Sequence, residues 1–256
     1  MDSFRVRIQM CGRLAIEVDG ERRESRLPGR QGRLLLSYLV LHRHDHLSRP
    51  RLVDALWPSD PPEASDNAVY ALVSKLRTAI GPDLLSSRES VRLTLPPDSW
   101  VDFEAARDGV HRAESALALQ EWGRAWGAAQ ISLFVARRGF LPDEELDWAT
   151  TARQELGELY LRALEAYATA SLHLGGTELA TAERAARELV GAAPFRESGH
   201  RTLMRALTAQ GNTAQALLAY EALRHRLSAE LGVAPSLRTR QLHQELLRND
   251  DSPRGT

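Results

Sequence analysis

Residues 47–81 read LSRPRLVDALWPSDPPEASDNAVYALVSKLRTAIG, and this stretch restricts the fold more than any other. Ser48 is a good N-cap, Pro50 fits a first helical turn, and Leu52, Val53, Leu56 and Trp57 form an apolar stripe at helical spacing. Pro58 has no N–H to donate and disfavours helical geometry in the residue before it, so the first helix must stop there. After Ser59-Asp60-Pro61-Pro62, either Ser65 or Asp66 can cap a second helix. Val69, Leu72, Val73, Leu76 and Ile80 share one side of it, and Gly81-Pro82 ends it. Two short amphipathic helices around a Pro-rich acidic turn are the layout of a helix-turn-helix, in which one helix supports and the other lies in a DNA groove.

The outer side of the second helix carries Tyr70, Ala71, Ser74, Lys75, Arg77 and Thr78. Lys75 is the single lysine among 33 basic residues. Hydroxyls can bond phosphates or base edges, Lys and Arg can reach guanine, and Ala lets the backbone approach. Any amphipathic surface helix also turns polar residues outward, so the flanking segments decide. Residues 4–18 (FRVRIQMCGRLAIEV) contain alternating stretches that predict strands, and Asp19-Gly20 is a hairpin turn signal. Residues 30–41 predict an apolar helix, and residues 84–95 a short hairpin with a polar tip. Strands, three helices and a hairpin, in that order, predict a winged helix with an N-terminal sheet. Arg88 and Arg92 would then lie on the wing, with Ser48, Arg49 and Arg51 at the start of the support helix as phosphate contacts.

Beyond residue 100 the pattern is helical throughout, with helices expected at 103–119, 121–136, 146–174, 178–190, 197–210, 213–229 and 237–247. Gly176 and Gly211 lie 35 residues apart, and each opens an Ala-rich helix. This approximates a tetratricopeptide period, in which helix pairs bury their apolar faces by stacking; a plain helical bundle is the other reading. The expected fold is mainly α with a small β component. Its division is a winged-helix domain over 1–100, tetratricopeptide-like helices over 101–248, and a disordered tail over 249–256.

The net charge of −1 neither announces nor excludes a nucleic-acid partner. The first 100 residues carry 15 basic and 13 acidic residues, the remainder 18 and 21, an asymmetry of the expected sign but small. No apolar run approaches the roughly 18 residues of a membrane span, and MDSFRVRIQ lacks the apolar core of a signal peptide, so a cytoplasmic chain without a membrane partner is expected. Cys11 is the one cysteine and is expected to be buried as a small apolar residue. His42, His44 and His46 in HRHDH fall where a helix ends and read as a solvated turn rather than a metal site. Asp143, Glu144, Glu145 and Asp147 read as helix-start acids, and Trp122, Trp126 and Trp148 as packing anchors. Neither GxxxxGK[ST] nor GxSxG occurs, so no enzyme and no cofactor are expected.

Several phrases together resemble the Streptomyces antibiotic regulatory protein family, which joins an OmpR/PhoB-type winged helix to a bacterial transcriptional activation domain. They are RQGRLLLSYLVLHR (30–43), LSRPRLVDALWP (47–58), DNAVYALVSKLRTAIG (66–81), WVDFEAA (100–106) and RGFLPDEELDWA (138–149). The resemblance continues through residues 193–247. Where the family's wing carries Gly-Tyr this chain has Ser90-Val91, and Ser87-Arg88 keeps a hydroxyl–Arg pair. The resemblance implies binding to double-stranded promoter DNA, often at direct repeats, by a homodimer, and activation by contact with RNA polymerase. Asp60, Glu63 and Asp66, in the turn between the two helices, would face the polymerase. Two other readings are a protein-interaction adaptor whose winged helix has lost DNA binding, and a regulator that senses a small ligand through its C-terminal helices.

Overall fold

The computed structural model describes residues 5–87 and 89–250. The chain runs through β1 (Val6–Gln9), β2 (Ala15–Val18), β3 (Glu21–Arg22), α1 (Gly29–Leu41), α2 (Arg49–Leu56), α3 (Ser65–Ile80), β4 (Leu85–Ser86), β5 (Arg92–Leu93) and β6 (Trp100–Val101). It then continues through α4 (Asp102–Ala118), α5 (Trp122–Ala136), α6 (Asp147–Leu174), α7 (Glu178–Ala192), α8 (Glu197–Ala209), α9 (Thr213–Arg226) and α10 (Leu237–Asp250). This is the expected mainly helical chain with a small β component. Two compact units divide it, one made of residues 1–105 and 138–156, the other of 106–137 and 157–256. Residues 138–156, which lie beyond the boundary expected at residue 100, are thus grouped with the first unit.

In the first unit β3, β2, β1 and β6 form one sheet in that order. Asp19 and Gly20 both hold positive φ (52° and 81°), which matches the twist of the two-residue turn joining β2 to β3. β6 pairs in parallel with β1, matching Arg7 to Trp100 and Ile8 to Val101, and this short strand was not foreseen. It delivers Asp102 into the interior, fully buried, where its carboxylate accepts the N–H groups of Met10 (2.8 Å) and Cys11 (2.9 Å). Burial pushes the Asp102 carboxyl above its usual range, although its backbone N–H partners pull the other way. Cys11 is buried as expected, and burial together with the Asp102 carboxylate pushes its thiol up.

α1 is the unit's central helix. Leu34 through Val40 are buried in an unbroken run, and a Cβ on Gly32 would lie 2.4 Å from the Pro28 ring, so only glycine fits there. Phe140 closes this core from far along the chain. Its ring meets Phe103 edge-on at 5.8 Å, and Cys11 and Phe140 form an antiparallel bridge. The acids expected to start a helix mostly precede it: α6 begins at Asp147, and Glu144 instead makes a two-pronged ion pair with Arg30. Arg153 donates to the carbonyls of Leu141 and Glu144, fixing this loop.

In the second unit small residues let helices approach closely. Ala113, Ala129 and Ala166 form one buried cluster, and Ala116, Ala125 and Ala170 another. A Cβ on Gly109 would lie 2.4 Å from Ser132 Oγ, which donates to the Ala106 carbonyl at 2.7 Å. Trp122 stacks on His173 and Trp126 packs beside Tyr167, so both act as packing anchors. α8 packs against both α7 and α9, with Gly176 and Gly211 at positive φ ahead of α7 and α9. Two boundaries differ from expectation by three residues, the others by two or fewer. α9 ends at Arg226 in a π turn, Leu227–Leu231, closed by left-handed Gly232. α10 runs on to Asp250, so Asn249 and Asp250 belong to a helix rather than a tail, while residues 251–256 lie outside the described residues.

Candidate nucleic-acid interface

α2 is capped as expected: Ser48 Oγ accepts the Arg51 N–H at 3.4 Å, and Pro50 sits in the first turn. α3 starts one step away from expectation. Its N-cap is Ala64, which supplies no side-chain bond, so Ser65 and Asp66 lie inside the first turn rather than capping it. At that place the Asp66 carboxylate complements the positive end of the helix dipole. Val69, Val73, Leu76, Ala79 and Ile80 are buried. Each Val, Leu or Ile side chain in that row contributes about 1.5–3 kcal/mol of burial, which fixes the helix in phase.

The opposite face is therefore presented to solvent. Tyr70 (64% exposed), Ala71, Ser74, Lys75, Arg77 and Thr78 are all exposed, as the periodicity predicts. The Thr78 hydroxyl donates to the Ser74 carbonyl at 3.1 Å, so it offers a ligand only its acceptor side. Asn67 completes this face, exposed one turn before Tyr70 and Ala71, and the sequence reading passed over it. Its amide matches the paired donor and acceptor of adenine. The signal was available in the spacing of residues 67, 71, 74 and 78.

The wing is a two-stranded hairpin, pairing Leu85 with Leu93 and Ser86 with Arg92. Val91, at the position of the family's Gly-Tyr pair, is buried and exchanges both backbone hydrogen bonds with Leu47 (3.0 and 2.8 Å). A β-branched residue suits that strand position. His46 is exposed but not merely solvated: Nδ1 lies 3.1 Å from Ser90 Oγ, and Nε2 lies 3.4 Å from a terminal nitrogen of Arg92. If Arg92 donates to Nε2, the proton sits on Nδ1 and is given to Ser90. His42 packs against the Tyr38 ring and faces Asp45 at 3.4 Å. Among the described residues no group of three His, Cys, Asp or Glu side chains could hold a metal.

The expected cationic contacts differ in availability. Arg49, Lys75 and Arg77 are exposed. Arg51 is turned back to the end of α1, its Nε donating to Tyr38 Oη at 3.1 Å and its Nη2 lying 3.4 Å from Asp45. Arg92 is half-buried beside His46, and Arg88 lies outside the described residues. Asp60, Glu63 and Asp66 are exposed on and after the connection between α2 and α3.

Residues 23–93 match the model of the C-terminal domain of transcriptional regulatory proteins, and residues 101–247 match that of the bacterial transcriptional activator domain. The chain belongs to the bacterial transcriptional activator domain family. Regulatory protein AfsR of Streptomyces coelicolor is 30% identical over 250 residues, which cover 97% of this chain and 25% of AfsR. Regulatory protein DnrI of Streptomyces peucetius is 29% identical, with 86% of this chain and 85% of DnrI covered. The chain thus spans about a quarter of the length of AfsR. The structure of Mycobacterium tuberculosis EmbR, solved with a low-affinity phosphopeptide, superposes with a TM-score of 0.83 at 24% identity. It covers 96% of this chain and 66% of EmbR, and supports the fold. The resemblance to the Streptomyces antibiotic regulatory proteins is therefore borne out. No helix among the described residues is long and apolar enough to cross a membrane.

Proposed function

We propose that this chain is a sequence-specific DNA-binding transcriptional activator, acting in the cytoplasm on promoter repeats. The observation that carries the reading is the solvent-facing row Asn67, Tyr70, Ala71, Ser74, Lys75 and Arg77 on a helix whose other side is locked into the core. An α-helix fits the major groove of B-DNA, and 16 residues extend roughly 24 Å along it. Arg77 supplies a planar fork suited to guanine, Lys75 a mobile point charge for phosphate or guanine, and Asn67 a reader of adenine. Arg49 reaches phosphate from the start of α2, while Ser48, Arg51 and Arg92 act mainly as braces, since the Ser48 hydroxyl caps α2, Arg51 is held by Tyr38, and a terminal nitrogen of Arg92 lies against His46. Arg88 belongs to the wing's contact with the duplex backbone.

The exposed acids Asp60, Glu63 and Asp66 support a docking role toward a basic surface of RNA polymerase, gaining specificity and on-rate more than affinity. With so few free cations on α3, a homodimer on repeated half-sites supplies the remaining affinity. Selection from a random duplex pool tests the reading, with wild type and the Lys75→Ala/Arg77→Ala variant run in parallel. Enrichment of a repeated motif by wild type, lost in the variant, is the expected result. Equal enrichment by both would sink the assignment of α3.

A further inference from the structure

Between α8 and α10 lies an open cleft of about 380 Å³ lined by Arg201, Arg205, Arg238, Gln241, Leu242 and Glu245. Arg201 and Arg205 stand one turn apart on α8, while Arg238, Gln241 and Glu245 share a face of α10, and all of them line the cleft while Arg205, Arg238, Gln241 and Glu245 stay exposed to solvent. Three guanidinium groups face one carboxylate. Arg201 is half-buried and donates to Thr239 Oγ1 at 3.0 Å, which holds its fork in place. Arg205 and Arg238 are exposed, and neither forms an ion pair among the described residues. Other arginines of the same unit are matched to acids, such as Arg162 with Glu114 and Arg187 with Glu183. Glu197, one turn before Arg201, accepts the Ser236 N–H at 3.0 Å on both oxygens and the Ser236 hydroxyl on one. Its charge acts on Arg201, and among the described residues it forms no ion pair with Arg205 or Arg238.

We propose that this cleft binds a phosphorylated sugar, either free or within a nucleotide. Like charges gathered in a concave site focus positive potential on whatever occupies it. The volume lies in the usual range for small-molecule sites, roughly 300–1,000 Å³, and the guanidinium fork matches two phosphate oxygens. Gln241 and Glu245 add acceptors that suit hydroxyl groups, and the Glu245 carboxylate would repel a second anion. Phosphate thus sits against the arginines and the sugar against the two acceptors. An extended acidic peptide would leave the acceptors facing its carboxylates.

The test is titration calorimetry on the full chain without DNA, at matched ionic strength. Its probes are ribose 5-phosphate, ADP, inorganic pyrophosphate and a polyglutamate peptide. Saturable one-to-one binding of ribose 5-phosphate or ADP is expected, at least about tenfold weaker in Arg205→Ala/Arg238→Ala. Binding of ADP alone would place the sugar within a nucleotide and supports the proposal equally. Glu245→Gln removes the repelling charge and should tighten pyrophosphate, whereas the two sugar ligands, which lose a charged acceptor for a hydroxyl, should weaken relative to it. Should the alanine variant melt early, Arg205→Lys/Arg238→Lys keeps the charge but loses the fork, and must still weaken binding. No saturable binding, equal binding by the variants, or preference for pyrophosphate or polyglutamate would overturn the proposal. Binding of duplex DNA by the same variants should be unchanged, so this site and α3 stand or fall separately.

Discussion

Trp148 Nε1 donates to the carbonyl of Ala55 at 2.9 Å. Ala55 is next to last in α2, so its carbonyl is among those a helix end leaves without an internal partner. The indole ring also meets Tyr38 of α1 at 5.3 Å and Phe140 at 6.2 Å, both edge-on. A residue far downstream thus holds the end of the support helix. Trp148→Phe keeps an aromatic ring and removes the donor, and should cost about 1–2 kcal/mol in denaturant unfolding. A variant as stable as wild type would show that the bond carries no net stability.

The buried His200 predicts a pH dependence. Burial is the main cause that pushes its imidazole below the ordinary value, and Nε2 lies 3.0 Å from the Pro194 carbonyl. The unfolded chain takes up a proton as pH falls through about 6.5, whereas the folded chain resists it. The stabilising contribution is therefore present above pH 6.5 and lost as pH falls through the folded value. His42 shifts the same way, chiefly by burial and then by the nearby Arg51 charge. Thermal melting should drop between pH 7.5 and 5.5, less steeply in His200→Gln. An unchanged slope in that variant would assign the loss to other groups.

His46 braces the wing through Ser90 and Arg92. His46→Ala should lower DNA affinity by roughly 0.5–1.5 kcal/mol, the scale of lost hydrogen bonds, while global melting barely moves. Equal affinity would mean that the wing keeps its place without this brace.

Asp60→Arg with Glu63→Arg separates polymerase docking from DNA binding. In-vitro transcription from a bound promoter should fall while the duplex affinity holds or rises, because two exposed acids are replaced by cations. Full transcription by the variant would remove this loop from the mechanism.

The parts legible in the sequence were those set by local rules. Pro58 and Gly81 bound α2 and α3, Asp19-Gly20 makes its turn, and the spacing of Val69, Val73, Leu76 and Ile80 fixed which side of α3 meets solvent. What escaped depends on residues distant in the chain. β6 is two residues long and earns its place only by pairing with β1, some 90 positions earlier. Periodicity could not tell that Phe140 packs on Phe103, or that Trp148 meets α1 and α2, because an apolar residue does not name its neighbour. The same holds for polar side chains: Arg51 and Arg92 look available by type, yet Tyr38, Asp45 and His46 hold them.

The central claim, that α3 reads DNA, is tested most directly by equilibrium binding to a selected duplex across a salt series. Wild type, Lys75→Ala and Arg77→Ala are compared, on that duplex and on a scrambled one. Arg77→Ala should lose about 1–3 kcal/mol on the selected duplex and almost nothing on the scrambled one, the mark of a base contact. Lys75→Ala, if it meets phosphate, should weaken both alike and reduce the salt slope by about one. Undiminished specific binding by both variants, each melting like wild type, would contradict the account.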